Sequence, residues 1–222
     1  MGRSEPKNSG PTLIHHRADS SPGLPGTLAR ATLPGMRITG GAARGIPLAT
    51  GRARTVRPAT DRMREAVFSS LGEAAAGAHF LDLFAGTGAY GLEALSRGAR
   101  SGCFVERDSH AVEAIRLNLA KVARIAGLAD TDAFPVFRKD ALRFAVPEGT
   151  TLVFLDPPYE LTRSQGQRLL ERILREAGPG CSVVLELPGD LALAHPGWTC
   201  WKRLGGRGAD SPGVLLLEKD PD

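Results

Sequence analysis

The segment 81-LDLFAGTGAYGLEAL-95 decides the fold, because it joins an apolar run to a helical pattern through a glycine-rich loop. Gly86, Gly88 and Gly91 let the backbone approach a ligand closely, and the N-terminus of the following helix presents unpaired N–H groups. In an open α/β sheet, ligands bind outside the carboxyl ends of the strands. The segment therefore predicts a strand, a loop and a helix that together bind a nucleoside cofactor.

Apolar runs and amphipathic segments alternate on both sides of this loop. Strands are predicted at 80–84, 102–106, 135–139, 152–156 and 182–187, and helices at about 61–72, 89–96, 108–123 and 163–177. This alternation, with continuously apolar strands, predicts a parallel sheet with both faces covered. The segments 199–204 and 213–219 differ, since a glycine-rich turn and no helix joins them. We predict an α/β fold, a doubly wound Rossmann-like sheet that ends in an antiparallel hairpin.

The chain divides into three parts by composition. Residues 1–35 contain many glycines and prolines without an apolar period, which predicts a disordered tail. The segment 36-MRITGGAARGIPLAT-50 predicts a small β-hairpin arm, which we extend over residues 36–59. Residues 60–222 are long enough for one α/β domain.

The composition excludes several classes of protein. No apolar run approaches the roughly 18 residues of a membrane span, and the N-terminus has no signal-peptide core. The 3 cysteines show no metal-binding or disulfide pattern, which favours reduced thiols, a cytoplasmic protein and no metal. The net charge of +4 favours a polyanionic partner only weakly.

Acidic residues near the strand ends predict which cofactor binds. Glu106 ends the strand after the glycine loop, where it can accept both hydroxyls of a ribose. Asp82 lies inside the preceding strand, where it would repel a pyrophosphate but accept from the amino group of a methionine moiety. Asp140 follows the third strand and is placed to accept from an adenine amino group, with the Ala141 N–H beside it. The pattern favours S-adenosylmethionine over NAD or FAD, although tight turns with solvated acids remain the simpler alternative.

The segment 152-LVFLDPPYE-160 opens at the same sheet edge as the glycine loop. The Asp156 carboxylate and the Pro157 carbonyl can accept the N–H groups of an exocyclic amine on a base. Pro157 and Pro158 fix φ and keep that carbonyl aimed, which is preorganised electrostatic help. The Tyr159 ring can stack on a base extruded from its helix. The segment predicts methyl transfer to a nucleobase amine; the alternative is a proline-rich turn with a solvent-exposed tyrosine.

Five segments in this order resemble the RsmD family. They are MRITGGAARG, RPATDRMREAVFSSL, LDLFAGTGAYGLEALSRGA, FVERD and FLDPPY, and the resemblance covers roughly residues 36–219. It implies that domain 60–222 methylates N2 of a guanine in small-subunit ribosomal RNA with S-adenosylmethionine. Asp156 to Tyr159 would then hold the guanine, and the cofactor would contact Asp82, Phe84, Gly86, Gly88, Glu106, Asp140 and Ala141.

The resemblance also implies an RNA-binding surface. The segment 57-RPATDRMRE-65 would lie over the cofactor, and arginines in and before it form the densest basic cluster of the chain. Because arginine binds phosphate bidentately, this cluster predicts an RNA contact. Its members are Arg37, Arg44, Arg57, Arg62 and Arg64, together with Arg52 and Arg54. For any one of them, solvent or an intramolecular partner is an equal alternative. The expected partner is small-subunit RNA or the assembling subunit, bound by a monomer.

Three other functions remain open at this point. The same chemistry on adenine N6 is the nearest, because both bases carry an exocyclic amine and only the arm and the RPATDRMRE segment favour RNA. An NAD-dependent oxidoreductase would explain the glycine loop but leave the DPPY segment without a role. A non-catalytic RNA-binding module is disfavoured by the intact loop, Glu106 and DPPY.

Overall fold

The computed structural model describes residues 1–2, 36–49, 61–209 and 211–220. The helices are α1 (Asp61–Leu71), α2 (Ala89–Ser96), α3 (Ser109–Ile125) and α4 (Tyr159–Glu176), with 3₁₀ turns at Gly72–Ala75 and Ala141–Arg143. The strands are β1 (His79–Leu83), β2 (Ser101–Glu106), β3 (Val136–Arg138), β4 (Leu152–Leu155), β5 (Ser182–Pro188), β6 (Trp198–Gly205) and β7 (Pro212–Lys219). Residues 3–35 of the predicted tail, and Arg52, Arg54 and Arg57, lie outside the described residues. Among the described helices, none has both the length and the apolar character needed to cross a bilayer.

The seven strands form one sheet in the order β3-β2-β1-β4-β5-β7-β6. The first five are parallel, and β7 runs antiparallel to both β5 and β6. The predicted doubly wound sheet with an antiparallel end is therefore confirmed, with β7 inserted between β5 and β6. Burial explains this order, because residues 213–217 of β7 are all buried whereas β6 carries exposed residues such as Trp201 and Lys202.

The helices cover the two faces of the sheet unequally. Helices α1, α2 and α3 pack on one face, over Phe80, Phe104 and Phe154, and α4 packs on the other. The strand order reverses at β1, because β2 lies on one side of it and β4 on the other. Such a reversal opens a crevice at the carboxyl ends of the two central strands, where ligands bind in folds of this type.

The third glycine of the loop serves the packing of α2 on the sheet. A Cβ atom at Gly91 would collide with the rings of Phe80 and Phe104, which meet edge to face with centroids 5.2 Å apart. Only a glycine lets the helix backbone approach these rings so closely. Gly91 therefore fixes how near the start of α2 lies to the strand ends.

The described part of the predicted arm, residues 36–49, forms a hairpin. Its two sides are joined by bonds from the Ile38 N–H to the Ile46 carbonyl (3.0 Å) and from the Leu48 N–H to the Met36 carbonyl (3.1 Å), and only one residue pair forms a regular bridge. Met36, Ile38 and Leu48 are buried in the same core as α1, α2 and α3. This part of the arm is thus packed into the domain.

Helix α4 begins at Tyr159, about four residues before the predicted start at Arg163. Pro158 precedes the first turn with φ −53° and ψ 138°, and its carbonyl accepts from the Thr162 N–H at 2.9 Å. A proline at the start of a helix loses nothing, because an N–H group there has no intrahelical partner. Consequently Tyr159 stands in the first turn of a helix.

Candidate active site

One cavity of about 730 Å³ opens at the carboxyl ends of the central strands. Its volume lies in the range of small-molecule sites, about 300–1,000 Å³. The residues that line it include nine of the predicted site residues: Phe84, Gly86, Glu106, Asp140, Ala141, Asp156, Pro157, Pro158 and Tyr159. The glycine loop and the DPPY turn therefore face the same space, as the shared sheet edge predicted.

The glycine loop has a tightly folded backbone. Phe84 has φ 59°, and Gly86 and Gly88 have φ 56° and 79°. For a residue other than glycine this left-handed conformation costs about 1–2 kcal/mol, and such strain concentrates at functional sites. Phe84 is half-buried and lines the cavity. The loop thus holds a strained aromatic residue against the space where a ligand would lie.

Glu106 ties the glycine loop to the end of β2. Its carboxylate accepts from the backbone N–H of Gly86 (2.9 Å), Arg107 (2.7 Å) and Asp108 (2.9 Å). A carboxylate has about four acceptor positions, so these three bonds leave capacity for a hydroxyl. Glu106 is accordingly both the residue that shapes the loop and an acceptor at the cavity wall.

Asp82 lies behind the loop and outside the set of described residues that line the cavity. It is buried, and its Oδ2 accepts from the Gly91 N–H at 2.9 Å. Burial raises the pKa of Asp82 to about 8; the Gly91 N–H lowers it and the Glu106 charge raises it further. Asp82 thus supports the loop by joining β1 to α2, and its contact with the cofactor stays a prediction.

Gly88, whose contact with the cofactor stays a prediction, lies outside the described cavity lining. Its N–H donates to the Ala85 carbonyl at 2.7 Å, and its carbonyl accepts from the Leu92 N–H at 2.8 Å. A Cβ atom there would come within 3.3 Å of Leu92 and Phe104. Gly88 is therefore the left-handed residue that starts α2, packed against the core.

Asp140 and Ala141 form a second wall of the cavity after β3. Asp140 is exposed and caps the 3₁₀ turn, since its Oδ1 accepts from the Leu142 N–H at 3.0 Å. Arg172 of α4 donates to the carbonyls of Ala141 (3.0 Å) and Phe144 (2.7 Å). Sequence analysis did not identify Arg172, which fixes this turn from the opposite side.

The DPPY turn is held by its own helix. The buried Thr162 hydroxyl lies 3.1 Å from the Pro158 carbonyl and 3.4 Å from the Pro157 carbonyl. Pro157 is buried, whereas Asp156 and Tyr159 are half-buried and line the cavity. Two fixed φ angles and this hydroxyl give the turn a defined shape.

Glu186 forms part of the cavity wall and Tyr90 supports it from behind, although neither was identified from the sequence. Glu186 lies near the end of β5, is 5% exposed and lines the cavity. The Tyr90 hydroxyl donates to Glu186 Oε2 at 3.3 Å, and its ring stacks on Phe154 with centroids 5.2 Å apart. Burial, and the charges of Glu186 and Asp156, raise the pKa of Tyr90 well above its usual value. The sequence feature that could have indicated Glu186 is the presence of an acid inside the apolar run 182–187.

The predicted arginine cluster separates into surface and core residues. Arg44 and Arg62 are exposed, and the Arg37 side chain is 65% exposed although it pairs with Asp61 at 3.5 Å. Arg64 is fully buried, with its guanidinium 2.7 Å from Asp61 and 3.8 Å from Glu93. Its predicted RNA contact is wrong for this conformation, because its ion pairs lie inside the core.

Comparisons with known proteins show the family to which the chain is related. The family model described as conserved hypothetical protein 95 matches residues 36–202. YlbH of Bacillus subtilis is 38% identical over 130 residues, which are 56% of this chain and 67% of YlbH. Ribosomal RNA small subunit methyltransferase D of Escherichia coli is 40% identical over 126 residues, which are 56% of this chain but only 60% of the relative.

A solved structure supports the fold over a longer stretch. The Escherichia coli protein yhhF superposes with a TM-score of 0.69 and 26% identity, over 84% of this chain and 99% of yhhF. The strand order is that of the Rossmann-like fold that S-adenosylmethionine-dependent methyltransferases share.

Proposed function

The chain belongs to the RsmD family, described as conserved hypothetical protein 95, and we propose on this premise that it methylates N2 of a guanine in small-subunit ribosomal RNA. The methyl donor would be S-adenosylmethionine. The observation that carries the proposal is that the glycine loop and the DPPY turn line one cavity. A cofactor bound at the loop and a base bound at the turn would then occupy the same cavity.

The residues on the loop side fit S-adenosylmethionine. Glu106 offers remaining acceptor capacity for ribose hydroxyls, and Asp140 is an exposed acceptor after the neighbouring strand β3. Phe84 supplies an aromatic surface at the cavity. Bound there, the cofactor supplies a methyl group on a sulfonium centre, whose sulfur keeps the electron pair of the broken bond. Positioning of the two reactants supplies much of the acceleration.

The residues on the turn side fit an exocyclic amine. The Asp156 carboxylate and the Pro157 carbonyl would accept its N–H groups, which holds the nitrogen with its lone pair toward the loop. As the new N–C bond forms, the nitrogen releases one proton, and Asp156 is the nearest proposed acceptor for it. Tyr159, in the first turn of α4, would stack on the base.

The exposed arginines support an RNA substrate. Arg37, Arg44 and Arg62 belong to the arm and to α1, which pack beside the cavity through Met36. Guanidinium groups on this side would bind phosphates. We further propose that the chain acts as a monomer on small-subunit RNA or on the assembling subunit, in the cytoplasm.

Labelled methyl transfer tests the proposal directly. Small-subunit RNA from cells that lack the family enzyme is incubated with the full chain and methyl-labelled S-adenosylmethionine. One portion is then digested to nucleosides to identify the labelled base, and another to oligonucleotides to locate it. We expect label in N2-methylguanosine at one mapped position. Label in N6-methyladenosine would replace the proposal by adenine methylation. Calorimetry in which NAD binds more tightly than S-adenosylmethionine would replace it by redox chemistry.

A further inference from the structure

Glu186 stands beside the proposed methyl-acceptor site on the neighbouring strand. Strands β4 and β5 are parallel, with Leu155 paired to Leu185, so Asp156 and Glu186 are the next residue along each strand. Both line the cavity. The wall on which the base would lie therefore carries two adjacent carboxylates.

Tyr90 holds the second of these carboxylates in position. Its ring is fixed by stacking on Phe154, and its hydroxyl donates to Glu186 Oε2. The side chain of Glu186 is almost fully buried. A buried carboxylate loses much of its hydration, so it is costly unless hydrogen-bond donors face it. Because a carboxylate has about four acceptor positions, a base that presents two N–H donors could bind Glu186 in addition to the Tyr90 hydroxyl.

We propose that Glu186 selects guanine, by accepting from the N1–H and by sharing one N2–H of the base with the Pro157 carbonyl in a three-centre bond, while Asp156 accepts from the other N2–H. This inference rests on the proposed function. Guanine presents N1–H and N2–H on one edge, which matches the two oxygens of a carboxylate. Adenine presents an unprotonated N1 at the corresponding position, and a carboxylate would repel it. Specificity thus includes a repulsive element against the wrong base.

A base analogue separates this role from a merely structural one. 2-Aminopurine keeps the exocyclic 2-amino group but has no proton on N1. Once the target nucleotide is mapped, RNA is prepared by ligation with either guanine or 2-aminopurine at that position. The measured quantity is the ratio of kcat/KM for guanine to kcat/KM for 2-aminopurine. Glu186→Gln changes one carboxylate oxygen into an amide that donates to an unprotonated N1.

We expect Glu186→Gln to lower this ratio by about tenfold or more, the scale of a two-bond base contact. S-adenosylmethionine affinity, measured by calorimetry, should stay at the wild-type value. Glu218→Gln on β7 is the matched control, since Glu218 is exposed and lies outside the described cavity lining. That control should leave the ratio unchanged. If Glu186→Gln is too slow to assay, the same ratio is taken from binding affinities with S-adenosylhomocysteine present.

Two results would overturn the inference, and they are distinguishable. Equal losses on guanine and 2-aminopurine, with wild-type enzyme forming N2-methylguanosine, would reduce Glu186 to a structural role and leave the proposed function intact. Wild-type enzyme that forms no N2-methylguanosine would remove the proposed function and this inference with it.

Discussion

The Asp82 carboxylate accepts the Gly91 N–H at 2.9 Å, beneath the loop that lines the cavity. This bond joins β1, an inner strand of the sheet, to the helix that follows the loop. It also places an acid in the core, 1% exposed, between β2 and β4. An acid so placed makes the stability of the domain depend on pH.

Asp82→Asn should flatten this pH dependence. Burial raises the pKa of Asp82 from 3.8 to about 8, so between these values the folded protein keeps a proton that the unfolded chain has released. The contribution of Asp82 to stability is therefore full below about pH 4 and is lost as the pH rises through 8. The wild-type free energy of unfolding minus that of Asp82→Asn should fall from pH 5 to pH 8 in urea titrations. Parallel curves would contradict the raised pKa.

Glu106→Gln should weaken cofactor binding. The amide has one acceptor oxygen in place of two and cannot receive all three backbone N–H groups of Gly86, Arg107 and Asp108. Loss of charge-assisted bonds costs about 1.5–3 kcal/mol each, so calorimetry should show S-adenosylmethionine affinity reduced about tenfold or more. Glu113→Gln, exposed on α3, serves as the control and should bind normally. Undiminished affinity in Glu106→Gln would exclude Glu106 from the cofactor site.

Asp156→Ala should abolish methyl transfer and leave S-adenosylmethionine affinity near the wild-type value. The carboxylate lines the turn side of the cavity, where it would hold the amine and not the cofactor. Turnover on RNA and calorimetry with the cofactor are measured on the same preparation. Asp132→Ala, an exposed aspartate outside the described cavity lining, should match wild type in both. A large drop in cofactor affinity for Asp156→Ala would make this acid a cofactor ligand.

Tyr159→Ala should slow turnover on RNA because a base loses its stacking surface. Stacking of a base on an aromatic ring is worth about 1–3 kcal/mol, so kcat/KM should fall by about tenfold or more. Tyr159→Phe keeps the ring and should stay close to wild type, which separates stacking from any role of the hydroxyl. Equal activity of the alanine variant and wild type would remove the stacking role.

Arg62→Ala should weaken RNA binding, whereas Arg64→Ala should destabilise the fold. Arg64 and Glu93 both have fully buried side chains, and removing one partner of a buried ion pair costs about 3–5 kcal/mol. Arg64→Ala should thus lower the free energy of unfolding in urea. Arg62 is exposed, so Arg62→Ala should keep that stability. It should weaken RNA binding and lower the slope of the logarithm of the binding constant against the logarithm of the salt concentration by about 1, the value for one phosphate contact. The reverse pattern would return Arg64 to the RNA surface.

The fold was predictable where local pattern and tertiary structure agree. Helix α2 was predicted at its observed bounds, because the glycine loop and the Arg97–Gly98 turn delimit it. The start of α4 was missed because the two prolines were interpreted as a rigid turn that fixes φ, although a proline also suits the start of a helix. β7 lies beside β5 because it is the strand of the final hairpin that is apolar on both faces. The apolar run at residues 213–217 already indicated this in the sequence.

The site was predictable in its motifs and less so in its supporting residues. Arg64 was grouped with its neighbours by charge, although positions 64, 67, 68 and 71 share one helical face that proves to be buried. Glu186 and Arg172 carry no local motif, and their partners are distant in sequence: Tyr90 for Glu186, and Ala141 for Arg172. Such residues become visible only when the strands and helices are brought together.

The insertion of β7 between β5 and β6 has a consequence for biosynthesis. As the polypeptide leaves the ribosome, β6 emerges before the strand that joins it to the rest of the sheet. Until residues 212–219 have been translated, β5 exposes an apolar edge, and β6 lacks β7, the strand with which it forms hydrogen bonds. A chain that ends between residues 205 and 212 would therefore lack the strand that joins β6 to β5, and both strands would keep unpaired edges, a surface prone to aggregation.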